Sequence, residues 1–360
     1  MKELTRFQYH FEPQTGWMND PNGLVYYQGK YHAFYQHYPY APQWGQMHWG
    51  HAVSADLIHW EEMPIALYPD MVYENDGGCF SGSAIEKDGR LYLFYTSVSH
   101  ELGQTQSVAY SDDGIHFTKY SGNPIIFENP VNSPDFRDPK VTCIDGTYYM
   151  VVGSGNEHSG KVLLYTSNDL LDWTYMGILF EEEGYGPCIE CPDFFKIEGR
   201  HVLMFSKMNE SQRSTVFVIG DFRDGKLCDY TISQPEWGTD FYAPQTFTDG
   251  KRRIMIGWMY HWGKTAPEGC PFAGALSIPR ELRLNGDSVL NFPVMESKHL
   301  LKQSSSYVRT EGARFVLSGR DGNVGCYEIP GVKRVDILED TKSVELFINE
   351  GEISFSWWLI

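Results

Sequence analysis

Positive charge is what this chain has least of. Lys and Arg number 29 against 47 Asp and Glu, a formal net charge of −18 at pH 7. That disfavours nucleic acid as a partner, because phosphate binding needs a basic face. It disfavours an anionic membrane surface for the same reason. Long apolar runs are missing too: no stretch approaches the roughly 18 to 20 apolar residues of a membrane span, and the opening Met1-Lys2-Glu3-Leu4-Thr5-Arg6 holds none. Cysteine is scarce and odd in number, 7 in 360 residues. Without an export signal, that points to reduced thiols in a cytoplasmic protein. The one Cys-x-x-Cys, Cys188 to Cys191, has no second pair or histidine at ligand spacing, so no metal is expected. No phosphate loop or Ser-His-Asp arrangement is apparent either, and no helical periodicity of useful length.

Aromatic residues, by contrast, are plentiful at 15%, with 23 Tyr, 21 Phe and 10 Trp. Strand-rich folds and carbohydrate sites both favour them. Many sit in short strand-like runs that each follow a turn glycine. These runs start at Gly29, Gly89, Gly146, Gly199 and Gly250, and the preceding residue is Asp in three cases, Glu in one and Gln in one. Such turns between aromatic and β-branched runs signal hairpins. Successive glycines stand 60, 57, 53 and 51 residues apart. A second repeat lies downstream in three units, at Ser54 to Trp60, Ser111 to Phe117 and Ser167 to Trp173. It suits the start of an outer strand. Regular strands in five such units predict an all-β fold, a five-bladed β-propeller over residues 1–298. An open sandwich would leave the five-fold regularity unexplained.

Eight or nine residues before the hairpin glycines stand Asp20, Ser81, Asp138, Glu190 and Tyr242. If the blades are equivalent, these residues start the innermost strands and converge at one axial mouth. Three carboxylates and Arg137 gathered there would be costly unless they act together. Each acid taken singly reads as a turn cap; at one phase of a five-fold repeat, that reading loses force.

Trp-Met-Asn-Asp-Pro-Asn-Gly at 17–23, Phe-Arg-Asp-Pro-Lys at 136–140 and Glu-Cys-Pro-Asp at 190–193 resemble the signature blocks of glycoside hydrolase family 32. Supporting matches are Trp44-Gly45, Trp49 to His51, Phe80 to Ser83 and Asp240 to Gln245. This is the family of invertases, sucrose-6-phosphate hydrolases and fructan β-fructosidases. The resemblance implies a retaining hydrolase of terminal β-fructofuranosyl groups that needs no cofactor. Asp20 would be the nucleophile, Glu190 the acid and base, and Asp138 a holder of fructose hydroxyls. The usual glycosidase chemistry needs two carboxyls flanking the scissile bond. The acid must keep a proton near neutral pH, for which burial and neighbouring carboxylates are the means. Arg137 is expected to favour the ionised form of Asp138. The resemblance further implies sugar contacts from Asn19, Gln36, Trp44, Phe80, Ser81, Arg137, Tyr242 and Trp258. Sucrose, sucrose 6-phosphate and short fructo-oligosaccharides are the expected substrates. A fructan exo-hydrolase and a non-catalytic sugar-binding propeller are the alternatives, the last disfavoured by the three acids. Flanking Glu190, Cys188 and Cys191 suggest oxidation as a route to inactivation, although two inert buried thiols are the simpler expectation.

Residues 299–360 read as a truncated β-sandwich-like module, with too few residues for two full sheets. Its strands alternate and end in Trp357-Trp358-Leu359-Ile360. An incomplete sheet would expose an edge and an apolar face. The tail is therefore expected either to pack on the propeller wall or to pair with a second copy in a homodimer.

Overall fold

The computed structural model describes residues 6–208, 214–259, 269–320 and 322–359. The five glycine turns are all hairpin turns, and four share one geometry. Gln28–Gly29, Asp88–Gly89, Asp145–Gly146 and Glu198–Gly199 each have two consecutive positive φ angles. That is the type I′ pattern, whose twist matches the strands it joins. The fifth turn is longer, from Thr248 to Arg253.

These hairpins open five antiparallel four-stranded units. The first comprises Gly16–Tyr27, Lys30–Tyr38, His48–Ser54 and Trp60–Leu67. The second runs through Gly78–Lys87, Arg90–Ser99, Gly103–Ser111 and Thr118–Lys119. Phe136–Ile144, Thr147–Gly155, Ser159–Ser167 and Thr174–Glu183 make the third. The fourth is Ile189–Ile197, Arg200–Lys207, Thr215–Arg223 and Lys226–Ser233. The fifth is Tyr242–Thr248, Arg253–Trp258, Arg280–Asn285 and Ser288–Pro293. The Ser-x-Asp repeat has the predicted role of leading into outer strands. Ser54 Oγ accepts the Leu57 amide at 2.8 Å, and Asp56 Oδ1 accepts that of His59 at 2.8 Å. The same bonds recur at Ser111 and Asp113, and at Ser167 and Asp169.

Both faces of an inner strand are covered by neighbouring blades, so its apolar residues run on without alternation. Phe34 and Tyr35 are adjacent and both fully buried, as are Phe94 and Tyr95. Five separate apolar cores fill the five gaps between blades, including that between the fifth and the first. Each innermost strand touches the next around the ring, and Tyr242–Thr248 touches Gly16–Tyr27. A short strand, Phe272–Ala273, adds in parallel to Gly16 and Trp17 and ties the ends of the ring together. The ring is closed, and its five innermost strands surround one axis.

The C-terminal region is a reduced sandwich, in keeping with its length. It forms two three-stranded sheets, Val308–Glu311 with Arg314–Ser318 and Val324–Glu328, and Val335–Glu339 with Ser343–Ile348 and Ile353–Trp358. Phe315, Leu317, Leu346 and Phe355 pack between them as one core, a small sandwich. The second sheet is covered along its Ile353–Trp358 edge. Glu236 to Asp240 of the propeller lies along Ile353–Trp358, with Trp237 N–H donating to Ser354 O at 2.8 Å and Trp358 N–H to Asp240 Oδ2 at 2.7 Å. Trp357, Trp358 and Leu359 are buried within their own chain. The apolar end of the tail is therefore packed on its own propeller, the first of the two arrangements expected.

A layer of buried charge joins sandwich to propeller. Arg280 donates to Glu236 at 2.6 Å and to Glu345 at 2.5 Å. His10, from the segment ahead of the first blade, sits between Asp340 at 2.8 Å and Glu345 at 2.7 Å. Lys342 pairs with Glu12 of the same segment.

Candidate active site

Every innermost strand breaks its ladder at one level. Pairing is interrupted between Met18 and Pro21, Cys79 and Gly82, Arg137 and Lys140, Glu190 and Asp193, and Tyr242 and Gln245. Such bulges bend a strand and re-aim its side chains. Asp138, Cys191 and Ala243 lie in the bulges with φ of +66°, +48° and +49°. A non-glycine residue held there costs on the order of 1–3 kcal/mol and persists only when its surroundings fix it.

The register corrects the phase obtained by counting from the hairpins. Arg137, Glu190 and Tyr242 are each the last paired residue before a bulge, opposite Gly153, Ser206 and Trp258. The counterpart of Asp138 in the fourth blade is thus Cys191, and that of Glu190 in the third blade is Arg137. Counting could not separate them because the spacing is eight in some units and nine in others. Space is tight at this level: a Cβ on Gly153 would stand 2.1 Å from the Ile189 carbonyl oxygen, next to Glu190.

The three acids meet through short contacts. Asp20 Oδ2 accepts from Ser81 Oγ at 2.7 Å, and Oδ1 from Asn19 Nδ2 at 3.0 Å. Asn19 is itself oriented by the Trp17 indole N–H at 2.8 Å. Glu190 Oε1 accepts from Arg137 Nη2 at 2.9 Å, and Oε2 from the Tyr242 hydroxyl. Arg137 is held from the other side by Asp135. Cys191 joins the groups. Its backbone N–H donates to Asp138 Oδ2 at 2.8 Å, and its thiol faces Asp20 Oδ2 at 3.5 Å.

The electrostatics follow from three acids sharing one guanidinium. Burial raises Asp20 above its ordinary range, opposed first by the Ser81 hydrogen bond and also by those from Asn19 and Cys191, while the Glu190 charge adds to the rise. Asp138 is pushed up to about 7, chiefly by burial, with Asp20 and Glu190 adding to it. Arg137 pulls Asp138 in the expected direction but is outweighed, and its hydrogen bonds go to Glu190 and Asp135 instead. Below this level, Lys140 and Asp193 form a buried pair at 3.3 Å, and Lys140 donates to Thr246 O at 2.5 Å.

The other expected residues fall into three groups. Ser81, Asn19, Arg137 and Tyr242 meet the acids directly. Phe80 and Trp44 line the rim beside them, ring centroids 6.3 Å apart, with Trp44 46% exposed. Gln36 and Trp258 lie deeper. Gln36 is buried and donates to Cys79 O at 2.9 Å. Trp258 is fully enclosed, edge-on to Trp17 at 5.8 Å, and packs behind the mouth with Trp358 of the sandwich. Sequence reasoning missed Asp135 and Thr96, whose Oγ1 accepts the Asp138 amide at 2.9 Å. Asp135 stands two residues before Arg137 and so on the same strand face, a signal that was available. Cys188 and Cys191 are both buried, and burial holds both thiols well above their usual range. As the thiolate is the reactive form, this argues against oxidation as a control. Among the described residues, no group of three or more His, Cys, Asp and Glu is arranged to hold a metal ion.

A family model described as the glycosyl hydrolases family 32 N-terminal domain matches residues 10–293. Sucrose-6-phosphate hydrolase from Escherichia coli is 39% identical over 335 residues, covering 86% of this chain and 69% of that protein. Levanase from Bacillus subtilis is 38% identical over 366 residues, covering 90% of this chain, which spans only 52% of that protein's length. Among solved structures, a Bombyx mori family 32 beta-fructofuranosidase superposes with a TM-score of 0.87 at 32% identity, covering 99% of this chain and 89% of that one. A mutant of it has been solved in complex with sucrose. Exo-inulinase from Aspergillus awamori superposes at 0.82 with 26% identity, covering 99% of this chain and 93% of that one.

Proposed function

Since this chain belongs to glycoside hydrolase family 32, we propose that it is a retaining β-fructofuranosidase acting on sucrose, sucrose 6-phosphate and short fructo-oligosaccharides. The observation that carries the reading is the junction at Cys191, which brings Asp20 and Asp138 against the strand that holds Glu190.

Asp20 is the nucleophile. Its carboxylate attacks the fructosyl anomeric carbon while Glu190 gives a proton to the departing oxygen, leaving a fructosyl ester on Asp20. Water then attacks the same carbon, Glu190 takes its proton, and fructose leaves with Asp20 restored. Ser81, Asn19 and Cys191 all donate to Asp20 and favour the ionised form that the first step requires. Arg137 and Tyr242 fix both oxygens of Glu190, so its carboxyl is held in one orientation. Asp138 receives fructose hydroxyls, with Phe80 and Trp44 presenting apolar faces to the sugar. Residues 1–298 are the catalytic unit and 299–360 the supporting one. A cytoplasmic location is supported by seven free cysteines, of which Cys143 and Cys326 are exposed.

The test is release of fructose from sucrose, sucrose 6-phosphate, kestose, inulin and levan by the wild type and by Asp20→Asn. Turnover by the wild type with none by the variant is expected. Substantial turnover by Asp20→Asn refutes the assignment of the nucleophile.

A further inference from the structure

On the mouth side of the first blade, two loops carry aromatic and apolar side chains that the catalytic residues do not use. Strands Lys30–Tyr38 and Trp60–Leu67 both run from the hairpin end towards the mouth, since Tyr38 pairs with Trp17 and Leu67 with Trp49. Residues 39–47 and 68–77 therefore lie on the same side as Asp20. Tyr40 is 75% exposed and Tyr68 48%, and Met71 and Val72 continue the patch.

The exposed rings are wedged in place. Tyr40 stands edge-on to Tyr38 at 5.4 Å and to His48 at 5.7 Å, and His48 stands edge-on to Tyr68 at 5.7 Å. His48 is itself oriented by a 3.0 Å contact from Nδ1 to Gln46 O. Buried Glu74 anchors the second loop, accepting from Tyr95 at 2.7 Å and from the Met71 amide at 3.1 Å. Gln46 Nε2 reaches Glu74 O at 3.1 Å, and Met47 N–H reaches Gly77 O at 2.8 Å, so the two loops are tied together. Rings already fixed in place lose little freedom when a ligand docks on them.

The patch is continuous with the site. Trp44 sits in the first loop and meets Phe80, whose neighbour Ser81 donates to Asp20. On the second loop, the Tyr68 carbonyl faces Cys79 Sγ at 3.7 Å, next to Phe80. The second loop carries three acids, Asp70, Glu74 and Asp76, and Lys119 bridges two of them. Lys119 donates to the Tyr68 carbonyl, to Asp70 at 2.6 Å and to Glu74 at 2.6 Å. An aromatic strip that leads away from a fructosyl site and carries more acids than cations suits an uncharged sugar chain better than a phosphorylated one.

We propose that Tyr40 and Tyr68 form an oligosaccharide-binding track that holds the remainder of a neutral fructo-oligosaccharide whose terminal unit lies at Asp20. This rests on the fructosidase reading above and extends it to chain length. The track favours longer chains over sucrose through binding, not through the chemical step.

The experiment compares Tyr40→Ala, Tyr68→Ala and the double variant on sucrose and on nystose, a four-unit chain. The ratio of kcat/KM for nystose to that for sucrose should fall about fivefold for each single variant, through KM with kcat retained. A ratio equal to that of the wild type overturns the track, and so does an equal loss on both substrates. Retardation of Asp20→Asn in an inulin-containing gel reads binding without turnover. Adding Tyr40→Ala and Tyr68→Ala should abolish that retardation, whereas unchanged retardation overturns the track even if no substrate is hydrolysed. Failure of the fructosidase reading would instead appear as a wild type inactive on every substrate. If the double variant alters self-association and leaves the ratio intact, the patch is a contact between copies of this chain and the track is refuted.

Discussion

Two buried clusters of acids in this molecule have opposite electrostatics. At the axial mouth, Asp20, Asp138 and Glu190 share one guanidinium, that of Arg137, and both Asp20 and Asp138 are raised. At the seam between propeller and sandwich, Glu236, Asp340 and Glu345 face Arg280 and His10, and both Asp340 and Glu345 are lowered. In both Asp340 and Glu345, burial pushes upward first; His10 outweighs it at Asp340, and Arg280 with His10 at Glu345. Burial is common to the two clusters, so it cannot explain the difference. What differs is how many cations and donors each acid receives. At the seam two cations serve three acids, and the pairs hold two units together. The mouth is left short of positive charge, the condition in which a carboxyl can exchange a proton near neutral pH.

The contrast can be broken most severely at the mouth. Asp20→Asn should lower kcat about 10^4-fold or more while the thermal midpoint stays the same or rises. A midpoint that falls by many degrees would make Asp20 a structural residue. At the seam, Arg280→Ala should cost about 3–5 kcal/mol in denaturant unfolding, because it strands Glu236 and Glu345 in the interior. Loss of activity in that variant should track loss of folded protein. If it folds as stably as the wild type, the seam is not held by its charges.

Two further substitutions test the sign of the difference. Asp138 has a folded value of about 7 against 3.8 unfolded, so ionising it costs stability as pH rises through that interval. Asp138→Asn should therefore be inactive yet more stable at pH 8, by about 3 kcal/mol; a loss of stability at that pH would contradict an under-neutralised mouth. His10 has a folded value of about 9 against 6.5. Its contribution is complete below pH 6.5 and is lost as pH rises through 9. His10→Gln should be less stable than the wild type by about 3 kcal/mol at pH 6, with the gap closing by pH 10; a gap constant with pH would remove proton linkage from the seam. The smallest effect concerns Arg137→Lys, which keeps the charge but not the fork that bridges Asp135 and Glu190. Its kcat should fall about tenfold with little change in KM.

Much of the fold could be read directly. Turns in which Asp, Glu or Gln precedes Gly carry their geometry in their chemistry, and five of them at near-regular spacing leave few architectures open. The Ser-x-Asp turns were legible for the same reason. Other features were not. Counting from Gly199 aligned Glu190 with Asp138, although a bulge in each strand makes Cys191 the true counterpart. The contact of the tail with Glu236 to Asp240, more than a hundred residues away in sequence, is invisible in the tail itself. Trp258 reads as a sugar contact from its motif, but packing against Trp17 and Trp358 puts it behind the wall.

Local rules, acting over a few residues, determined the hairpins, the five repeats and the identity of the three acids, since turn conformation and strand alternation depend on near neighbours. Tertiary structure decided which acids are neutralised, because charge compensation depends on distance in space. Arg137 lies beside Asp138 in the chain, yet its hydrogen bonds go to Asp135 and, 53 residues away, to Glu190. His10 and Asp340 are 330 residues apart, yet they are hydrogen-bonded at 2.8 Å.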